Sequence, residues 1–474
     1  MKTSKFHLVL TAACTMHAGA GLTADPDDGI FDAAWSDDGK VVVAFDEGNG
    51  NADFGSSAAI GSDGSMYIAG LVSYSTNGTK IGVVKRDPLG EPSAFFSQDG
   101  KNTSNLNGII VGEPVKIAIT KEGNAERLLV AATLRVSDTR TDIVVCKFNA
   151  LTGVNLDFAA PTLPYLGCTR DPLEAGVLQE TRDIVVQPDG KFIVVGTYAI
   201  PPQPDEKWVY AVRFNADGSI DDTFDSTPKR NASFFASHEP RAAMRASNGK
   251  IVIVGSSRSQ FASGLGGLVM RLNSIGTLDE IAVTGESAFG LAGSQTRDTV
   301  FKDLVLEPDP DSGEDAIIAV GHAELTLLKN SAVIARLAGA NPVTLDTNFG
   351  ESEEGGYSSI SGVGLANLSY ESVAAHPCSG YITITDAQSA DLTDILVNAW
   401  TRSGSYNTRF GETAGNSTII DFFDGLEQFD RGRDVVSFGD GVYVAGYASN
   451  GDNADFAAVK LFMDSIFCDG YQVD

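Results

Sequence analysis

A short apolar segment that usually ends in glycine occurs seven times in this chain at a nearly constant interval. The distance from Gly70 to Gly446 divides into six intervals of about 63 residues each. The copies are GSMYIAG ending at Gly70, ERLLVAA at Ala132, GKFIVVG at Gly196, GKIVIVG at Gly255, DAIIAVG at Gly321, GYITITD at Asp386 and GVYVAG at Gly446. Recurrence at this period is typical of repeat folds in which each unit packs against its neighbours.

A second apolar run follows each copy, and in six of the seven units it carries one basic residue. These basic positions are Lys85, Lys147, Arg213, Arg271, Arg336 and Lys460. Several units then place an aspartate or asparagine three positions before an aromatic residue, as in Asp221 with Phe224. A base that recurs beside a recurring aspartate favours a structural ion pair, because buried charges must be compensated. A ring of these bases that binds anions in a channel is the alternative.

The repeat resembles that of the delta-60 repeat family. The third unit carries the likeness most fully, since VVQPDGKFIVVG followed by VYAVRFNADGSIDDTF lies close to the family consensus. The resemblance covers about residues 29–463, with the second and sixth units more divergent. It implies a bacterial, β-propeller-like protein, and it implies no established reaction, ligand or catalytic residue.

The residues indicate the same architecture on physical grounds. Segments 192–195 and 251–254 are continuously apolar and rich in β-branched residues, as expected for strands that are covered on both faces. Hairpin turns with a glycine at positive φ are predicted at Asp63-Gly64, Asp189-Gly190, Asn248-Gly249 and Asp440-Gly441. Packed propeller blades cover both faces of each sheet. The sequence therefore predicts an all-β fold, a seven-bladed β-propeller over residues 25–463.

The phase of the repeats predicts how the ring closes. The seventh unit ends after FAAVKLF, whereas residues 29–45 supply the missing part of a unit ahead of the first copy. We expect residues 39–45 to pair, as the outer strand, with the blade formed by 433–462. An open solenoid or β-helix is less favourable, because it would leave an unpaired edge at each end.

The N-terminus indicates export. Two lysines precede an apolar segment, and small residues permit cleavage of a signal peptide over 1–20, after Ala20 or alternatively after Ala24. A lipoprotein signal ending at Cys14 is the less favoured alternative. No apolar stretch is long enough for a transmembrane helix. We therefore expect an exported protein that is extracellular, cell-surface or periplasmic.

The C-terminal tail, residues 464–474, has its own resemblance. Its segment DSIFCDGYQ is similar to the D-x-I-F-x-x-G-F-E ending of exported gammaproteobacterial proteins, although Tyr471 and Gln472 depart from the last two positions. The likeness implies a shared surface or secretion fate. A packing strap over the last blade is the alternative.

Charge restricts the partners. The formal net charge of −28 repels phosphate backbones, so no nucleic-acid partner is expected, and the partner is an unknown protein or glycan. The four cysteines after the signal are Cys146, Cys168, Cys378 and Cys468. Export favours disulfides 146–168 and 378–468, while other pairings and buried free thiols stay open.

The sequence carries no recognisable catalytic motif. His238, His322 and His376 fall at unrelated positions of three repeats, which indicates ordinary structural histidines. The group Asp309, Asp311 and Asp315 resembles a calcium loop, but it lacks the glutamate at the twelfth position, and a solvated hairpin loop is favoured. No cofactor is predicted, and calcium is the only candidate.

These observations favour a non-catalytic propeller that presents its loops for binding. The alternative is a propeller enzyme, a hydrolase or lyase that acts on polysaccharide. Convergence of three or more Asp, Glu, His or Arg side chains in a channel pocket would favour the enzyme.

Overall fold

The computed structural model describes residues 29–47, 52–75, 78–106, 108–162, 167–173, 175–201, 203–229, 235–259, 264–283, 298–309, 313–326, 329–339, 342–352, 355–361, 368–377, 380–388, 393–408, 410–411, 417–423, 429–451 and 453–463. The predicted export signal over 1–20 with its two cleavage positions, the tail 464–474, Asp311, Cys378 and Cys468 lie outside these residues.

Each regular element in this part of the chain is a β-strand, so the prediction of an all-β fold is confirmed. The strands are β1 (Ile30–Phe31), β2 (Lys40–Val43), β3 (Asp53–Ile60), β4 (Met66–Ser75), β5 (Gly78–Arg86), β6 (Lys101–Thr103), β7 (Ile109–Ile110), β8 (Lys116–Glu122), β9 (Ala125–Ser137), β10 (Arg140–Asn149), β11 (Cys168–Arg170), β12 (Leu178–Val186), β13 (Phe192–Ile200), β14 (Gln203–Phe214), β15 (Phe235–Arg245), β16 (Ile251–Ser259), β17 (Leu265–Leu272), β18 (Leu278–Val283), β19 (Thr299–Pro308), β20 (Asp315–Thr326), β21 (Lys329–Ala338), β22 (Thr344–Leu345), β23 (Tyr357–Ile360), β24 (Tyr370–His376), β25 (Gly380–Gln388), β26 (Thr393–Trp400), β27 (Ser417–Ile420), β28 (Phe429–Phe438), β29 (Gly441–Ser449) and β30 (Ala454–Phe462). Among the described residues, no helix is long and apolar enough to cross a membrane.

The strands pair into five sheets. Their members are β3 to β6; β7 to β11 continuing into β12 to β14; β15 to β18; β19 to β23; and β24 to β27 continuing into β28 to β30 with β1 and β2. Pairing is antiparallel within each unit, and adjacent units in the two larger sheets meet through one parallel residue pair each, Thr141 with Leu178 and Thr393 with Phe429. The repeated apolar segments form the second strand of every unit, namely β4, β9, β13, β16, β20, β25 and β29. We call the strand before each of them the inner strand: β3, β8, β12, β15, β19, β24 and β28.

The continuous apolar runs are covered on both faces because each unit packs between two others. Val194 belongs to a buried cluster that contains Leu129 of the preceding unit. Its neighbour Val195 points the other way, into a cluster that contains Ile253 of the following unit. Full burial of one such side chain stabilises the fold by about 1.5–3 kcal/mol. Alternate residues of one strand thus join consecutive units.

The repeated glycine allows a close backbone approach. A Cβ atom at Gly70, Gly196, Gly255, Gly321 or Gly446 would lie 1.8–2.2 Å from a carbonyl oxygen of the inner strand. At each of these places the inner strand has a β-bulge. In the sixth unit Thr385 takes this position and donates its hydroxyl to Ser369 O at 2.7 Å. The glycine is therefore the sequence mark of a bulge on the neighbouring strand.

Three of the four predicted hairpin glycines have positive φ, with values of 82° at Gly64, 82° at Gly190 and 86° at Gly249. The prediction for Gly441 is wrong. In that hairpin Gly439, with φ of 60°, adopts the left-handed conformation, because the turn is Gly439-Asp440, one residue earlier than the Asp-Gly pair indicates.

The N-terminal residues lie against the last unit. Strand β2 pairs antiparallel with β30, in the register Lys40 with Val459 to Val43 with Phe456. Strand β1 extends this edge, with Ile30 opposite Phe462. The last unit thus receives its fourth strand from the start of the chain.

Candidate functional site

A cavity of about 740 Å³ lies among the inner strands, and side chains from all seven units line it. We call it the central cavity. Six lining residues are the extra residues of the β-bulges: Ser56, Arg182, Arg241, Lys302, Glu371 and Arg433. A bulge bends its strand and re-aims one side chain. The recurring bulge is therefore the device that directs polar side chains of successive units into one space.

The side chains that line the central cavity carry more positive than negative charge, whereas the chain as a whole is acidic. Its lining contains seven lysine and arginine residues but only three glutamates. The cations are Lys116, Arg182, Lys207, Arg241, Arg258, Lys302 and Arg433, and the acids are Glu113, Glu239 and Glu371. The whole chain, by contrast, carries a formal charge of −28. A concave cationic site concentrates field lines and attracts anions.

Each of the three glutamates lies beside a cation. Glu371 forms an ion pair with Lys302 of the preceding unit. Glu239 lies 3.2 Å from Arg241 and 3.6 Å from Lys207. The third acid, Glu113, lies 3.6 Å from Arg433.

Glu113 differs from an ordinary glutamate in its ionisation. Burial raises its pKa, and the nearby charges of Arg433 and Arg431 only partly oppose this. The carboxyl group of Glu113 consequently keeps its proton to higher pH than an exposed glutamate, as a proton donor requires.

Four cations from the third and fourth units form one side of the cavity, which we call the cationic wall: Arg182, Lys207, Arg241 and Arg258. Glu180 binds two of them, at 2.6 Å from Arg182 and 3.1 Å from Lys207. Burial opposes ionisation of Glu180, but these two cations outweigh it and lower the pKa. The wall holds more positive than negative charge even when Glu180 and Glu239 are both ionised.

His322 lines the same cavity. Its Nδ1 lies 3.0 Å from Ser369 Oγ. Burial, with a further contribution from Lys302, lowers its pKa to about 4. The imidazole is therefore neutral near pH 7.

The charge of Lys116 is influenced by three carboxylates, Asp183, Asp303 and Asp434, each of which follows a bulge residue. Burial disfavours its charge, but the three aspartates outweigh this and raise its pKa. Burial in turn raises the pKa of Asp434 to about 6. One ammonium group cannot fully compensate three buried carboxylates, so Lys116 adds no excess positive charge to the cavity.

The six recurrent bases lie elsewhere, on the third strands, and none is among the residues that line the cavity. Each is paired with a carboxylate: Lys85 with Asp63, Lys147 with Glu122, Arg213 with Asp221, Arg271 with Asp279, Arg336 with Asp346 and Lys460 with Asp32. In three units the aspartate is the one that lies three positions before an aromatic residue in the sequence, at Asp32, Asp221 and Asp346.

Two predicted groups of residues lie away from the cavity. Cys146 and Cys168 form a disulfide between the paired strands β10 and β11. Asp309 and Asp315 lie at the β19–β20 hairpin, where both oxygens of Asp315 accept hydrogen bonds from Ser247 at 2.6 Å. Asp315 is thus a contact between two units.

Another acidic group lies between the sixth and seventh units. Carboxylate oxygens of Asp394, Asp421 and Asp430 lie within 4.8 Å of one another. Burial raises the pKa of Asp430 to about 7 and that of Asp394 to about 6, and the neighbouring carboxylates add to both shifts. Oxygen atoms in this arrangement are chemically suited to a divalent cation.

Sequence reasoning did not identify the cavity residues. A usable signal was present, since a base directly followed by aspartate opens the inner-strand apolar run three times: Arg182-Asp183, Lys302-Asp303 and Arg433-Asp434. His322 gave no such signal, because it lies on β20, the second strand of its unit, and not on an inner strand.

Comparison with known proteins supports a β-propeller. A family described as "Domain of unknown function (DUF5122) beta-propeller" matches residues 187–224 and 246–280. No curated protein matches the chain. Three similar solved structures are polysaccharide lyase Uly1 (9% identity, 86% of this chain and 90% of that chain, TM-score 0.46), the GH93 α-L-arabinofuranosidase of Fusarium graminearum (10%, 89% and 97%, 0.40) and Trypanosoma rangeli sialidase (10%, 91% and 60%, 0.38).

The prediction of a non-catalytic, loop-presenting protein is contradicted. The central cavity meets the condition that separates the alternatives. More than three Glu, His and Arg side chains converge there. The alternative, a propeller enzyme, agrees better with these findings.

Proposed function

We propose that the protein is a carbohydrate-active enzyme, a hydrolase or lyase that cleaves polysaccharide in the central cavity. The observation that carries this proposal is the convergence of glutamates, arginines, lysines and one neutral histidine from six of the seven units on a single cavity. A cavity with a few converging polar groups and perturbed ionisation is the usual form of an active site. The polar and charged side chains of this lining can form hydrogen bonds with sugar hydroxyls and with charged substituents of a sugar.

The ionisation of two lining residues suggests their roles. Glu113, whose pKa is raised, would give a proton to the leaving glycosidic oxygen. His322, which is neutral, would take a proton from the attacking water in hydrolysis or from a ring carbon in elimination. A pair of groups whose pKa values are shifted in opposite directions is a common basis for acid–base catalysis.

Incubation with a panel of neutral, uronate-containing and sulfated polysaccharides tests the proposal. New reducing ends would report cleavage, and ultraviolet absorbance of an unsaturated product would identify a lyase. Glu113→Gln should abolish cleavage, whereas Glu91→Gln, the same change at an exposed glutamate outside the cavity, should not. Absence of cleavage across the panel, or full activity of Glu113→Gln, would contradict the proposal.

We further propose that each of the seven repeats is one blade and that the blades form a closed ring. The pairing of β2 with β30 supports this arrangement, as does the parallel bridge between Ala52 and Ala454. A Cβ atom at Gly55 would lie 2.0 Å from Gly446 O, so the first and last units are in close backbone contact. Deletion of residues 29–46 should lower the melting temperature sharply, and an unchanged melting temperature would refute closure by this strand.

We also propose that the protein is a delta-60 repeat protein that is exported. The disulfide between Cys146 and Cys168 supports export, because disulfides persist in oxidising compartments. Cell fractionation of the full chain tests this assignment, and an intact N-terminus on cytoplasmic protein would refute it.

A further inference from the structure

We propose that the saccharide bound by the central cavity is anionic, and that the cationic wall of Arg182, Lys207, Arg241 and Arg258 binds its carboxylate or sulfate group. The inference rests on the proposed function and adds the class of substrate. It depends on two observations about the cationic wall: its excess of positive charge, and the side-chain donors that form no hydrogen bond or ion pair with the described residues.

The wall contains more cations than the neighbouring acids compensate. Glu180 forms ion pairs with Arg182 and Lys207. Glu239 forms ion pairs with Arg241 and with the same Lys207. Two carboxylates therefore face four cations. Like charges so close together destabilise the empty site, and an anionic ligand would remove that repulsion.

Arg258 is the free member of the wall. Its side chain is exposed, and it forms no hydrogen bond or ion pair with any residue that the structure describes. It stands opposite Ser237 across the β15–β16 pair, and the Ser237 hydroxyl accepts the N–H of Lys207 at 3.2 Å. A guanidinium group presents paired donors that match the two oxygens of a carboxylate or sulfate.

Arg182 also has a side-chain N–H donor without an acceptor among the described residues, but this donor is buried, whereas the side chain of Arg258 is exposed. It is only 9% exposed, and its Nε forms no hydrogen bond within the described part of the chain. The Nε of Arg241 is likewise buried without a partner. A buried donor without a partner costs free energy, and a ligand oxygen in the cavity could supply the missing acceptor.

The wall also lies close to the proposed base. Arg241, Lys302 and His322 line the same cavity, and the charges of Lys302 and Arg241 add to the lowering of the pKa of His322 after the larger effect of burial. An anionic substituent held at Arg241 would therefore bring the adjoining sugar ring near the imidazole. In a uronate, C5, the ring carbon next to the carboxylate, would lose its proton to His322, and a double bond would form between C4 and C5. The bond from C4 to the glycosidic oxygen would break, and that oxygen would take the proton of Glu113.

Binding measurements separate this inference from the proposed function. Calorimetry with uronate, sulfated and neutral oligosaccharides of equal length should be done on the wild-type protein and on Glu113→Gln, which prevents turnover. We expect tighter binding of at least one acidic series, weakened by salt, because neutralised charges dominate the affinity. Arg258→Gln should raise the Kd for that series about tenfold. Arg258→Lys should restore part of the loss, and Arg402→Gln, at an exposed arginine outside the cavity, should have no effect.

The outcomes have distinct meanings. Equal affinity for neutral and acidic oligosaccharides, or an unchanged Kd in Arg258→Gln, would overturn the anionic specificity while leaving the proposed enzyme intact if the neutral sugar is cleaved. Selective acidic binding without cleavage of any polysaccharide would support the specificity and overturn the enzyme. Absence of binding in every series would overturn both.

Discussion

The carboxylate of Asp434 accepts the backbone N–H of Ala58 at 2.9 Å, although the two residues are 376 positions apart. The same bond joins consecutive units elsewhere, from Asp183 to the N–H of Ala243 at 2.7 Å and from Asp303 to that of Val373 at 2.9 Å. In each case the aspartate directly follows a bulge residue that lines the cavity. The bulge thus aims one side chain at the cavity and the next at the following unit. The hydrogen bond between Asp434 and Ala58 therefore joins the last unit to the first in the same way as the other two bonds join consecutive units.

Asp434→Ala should therefore lower the free energy of unfolding by about 1–3 kcal/mol, because the buried N–H of Ala58 loses its acceptor. Asp434→Asn should stay within about 1 kcal/mol of the wild type, because an amide oxygen can still accept this bond. Urea unfolding of the two variants checks the difference. Equal destabilisation by both would show that the charge of Asp434, and not its hydrogen bond, holds the units together.

Arg213→Ala should be strongly destabilising. The Arg213 side chain is 8% exposed, lies 2.8 Å from Asp221, and donates to Ser274 O of the next unit at 2.7 Å. Removal of one partner of a buried ion pair costs about 3–5 kcal/mol. The matched control is Arg402→Ala, whose exposed ion pair with Glu307 should contribute about 0–1 kcal/mol. Thermal unfolding that gives the same shift for both variants would refute a structural role for Arg213.

The sequence was sufficient for the all-β fold because apolar runs and turn residues are local signals. The runs at 192–195 and 251–254 form strands β13 and β16, and Gly64 and Gly190 have the positive φ that their turns require. The shifted turn at Gly439 shows the limit of this reasoning, because either of two neighbouring glycines could supply the conformation.

The cavity was beyond local reasoning for a physical reason. In a regular strand, successive side chains alternate between the two faces of the sheet. A bulge inserts one extra residue, which breaks this alternation, and here its side chain lines the cavity. Arg241 and Glu371 therefore look like ordinary strand residues in the sequence. The repeated glycine marks five of the six bulges indirectly, through the close approach of carbonyl oxygens to residues such as Gly196 and Gly255. That relationship requires three-dimensional coordinates to be recognised.

Asp430 should make stability depend on pH. Its carboxyl is 1% exposed, and burial raises its pKa from 3.8 to about 7. The folded protein consequently holds the proton more tightly than the unfolded chain, so this contribution is complete below about pH 4 and is lost as pH rises to about 7. Asp430→Asn should stabilise the protein at about pH 8 by at most about 4 kcal/mol and should have little effect near pH 4. Unfolding free energies measured across this range would refute the assignment if the benefit did not grow with pH.

The disulfide should contribute to stability through the unfolded chain. Cys146 and Cys168 are separated by 22 positions, and closure of a loop of this length corresponds to about 3 kcal/mol in the chain-entropy model. The double variant Cys146→Ala/Cys168→Ala should lose about that amount in urea unfolding. Peptide mapping of the wild-type protein without reduction should recover the two cysteines in one linked fragment, and their recovery as separate thiols would contradict the bond.

The most direct test of the enzyme assignment is the release of product from acidic polysaccharide by the purified wild-type protein and by Glu113→Gln. We expect cleavage by the wild type and a loss of at least about a hundredfold in the variant, the usual contribution of a general acid. The variant should keep its fold and its affinity for the oligosaccharide. No product from the wild type, or equal rates for the two proteins, would contradict the central claim that the cavity is a catalytic site.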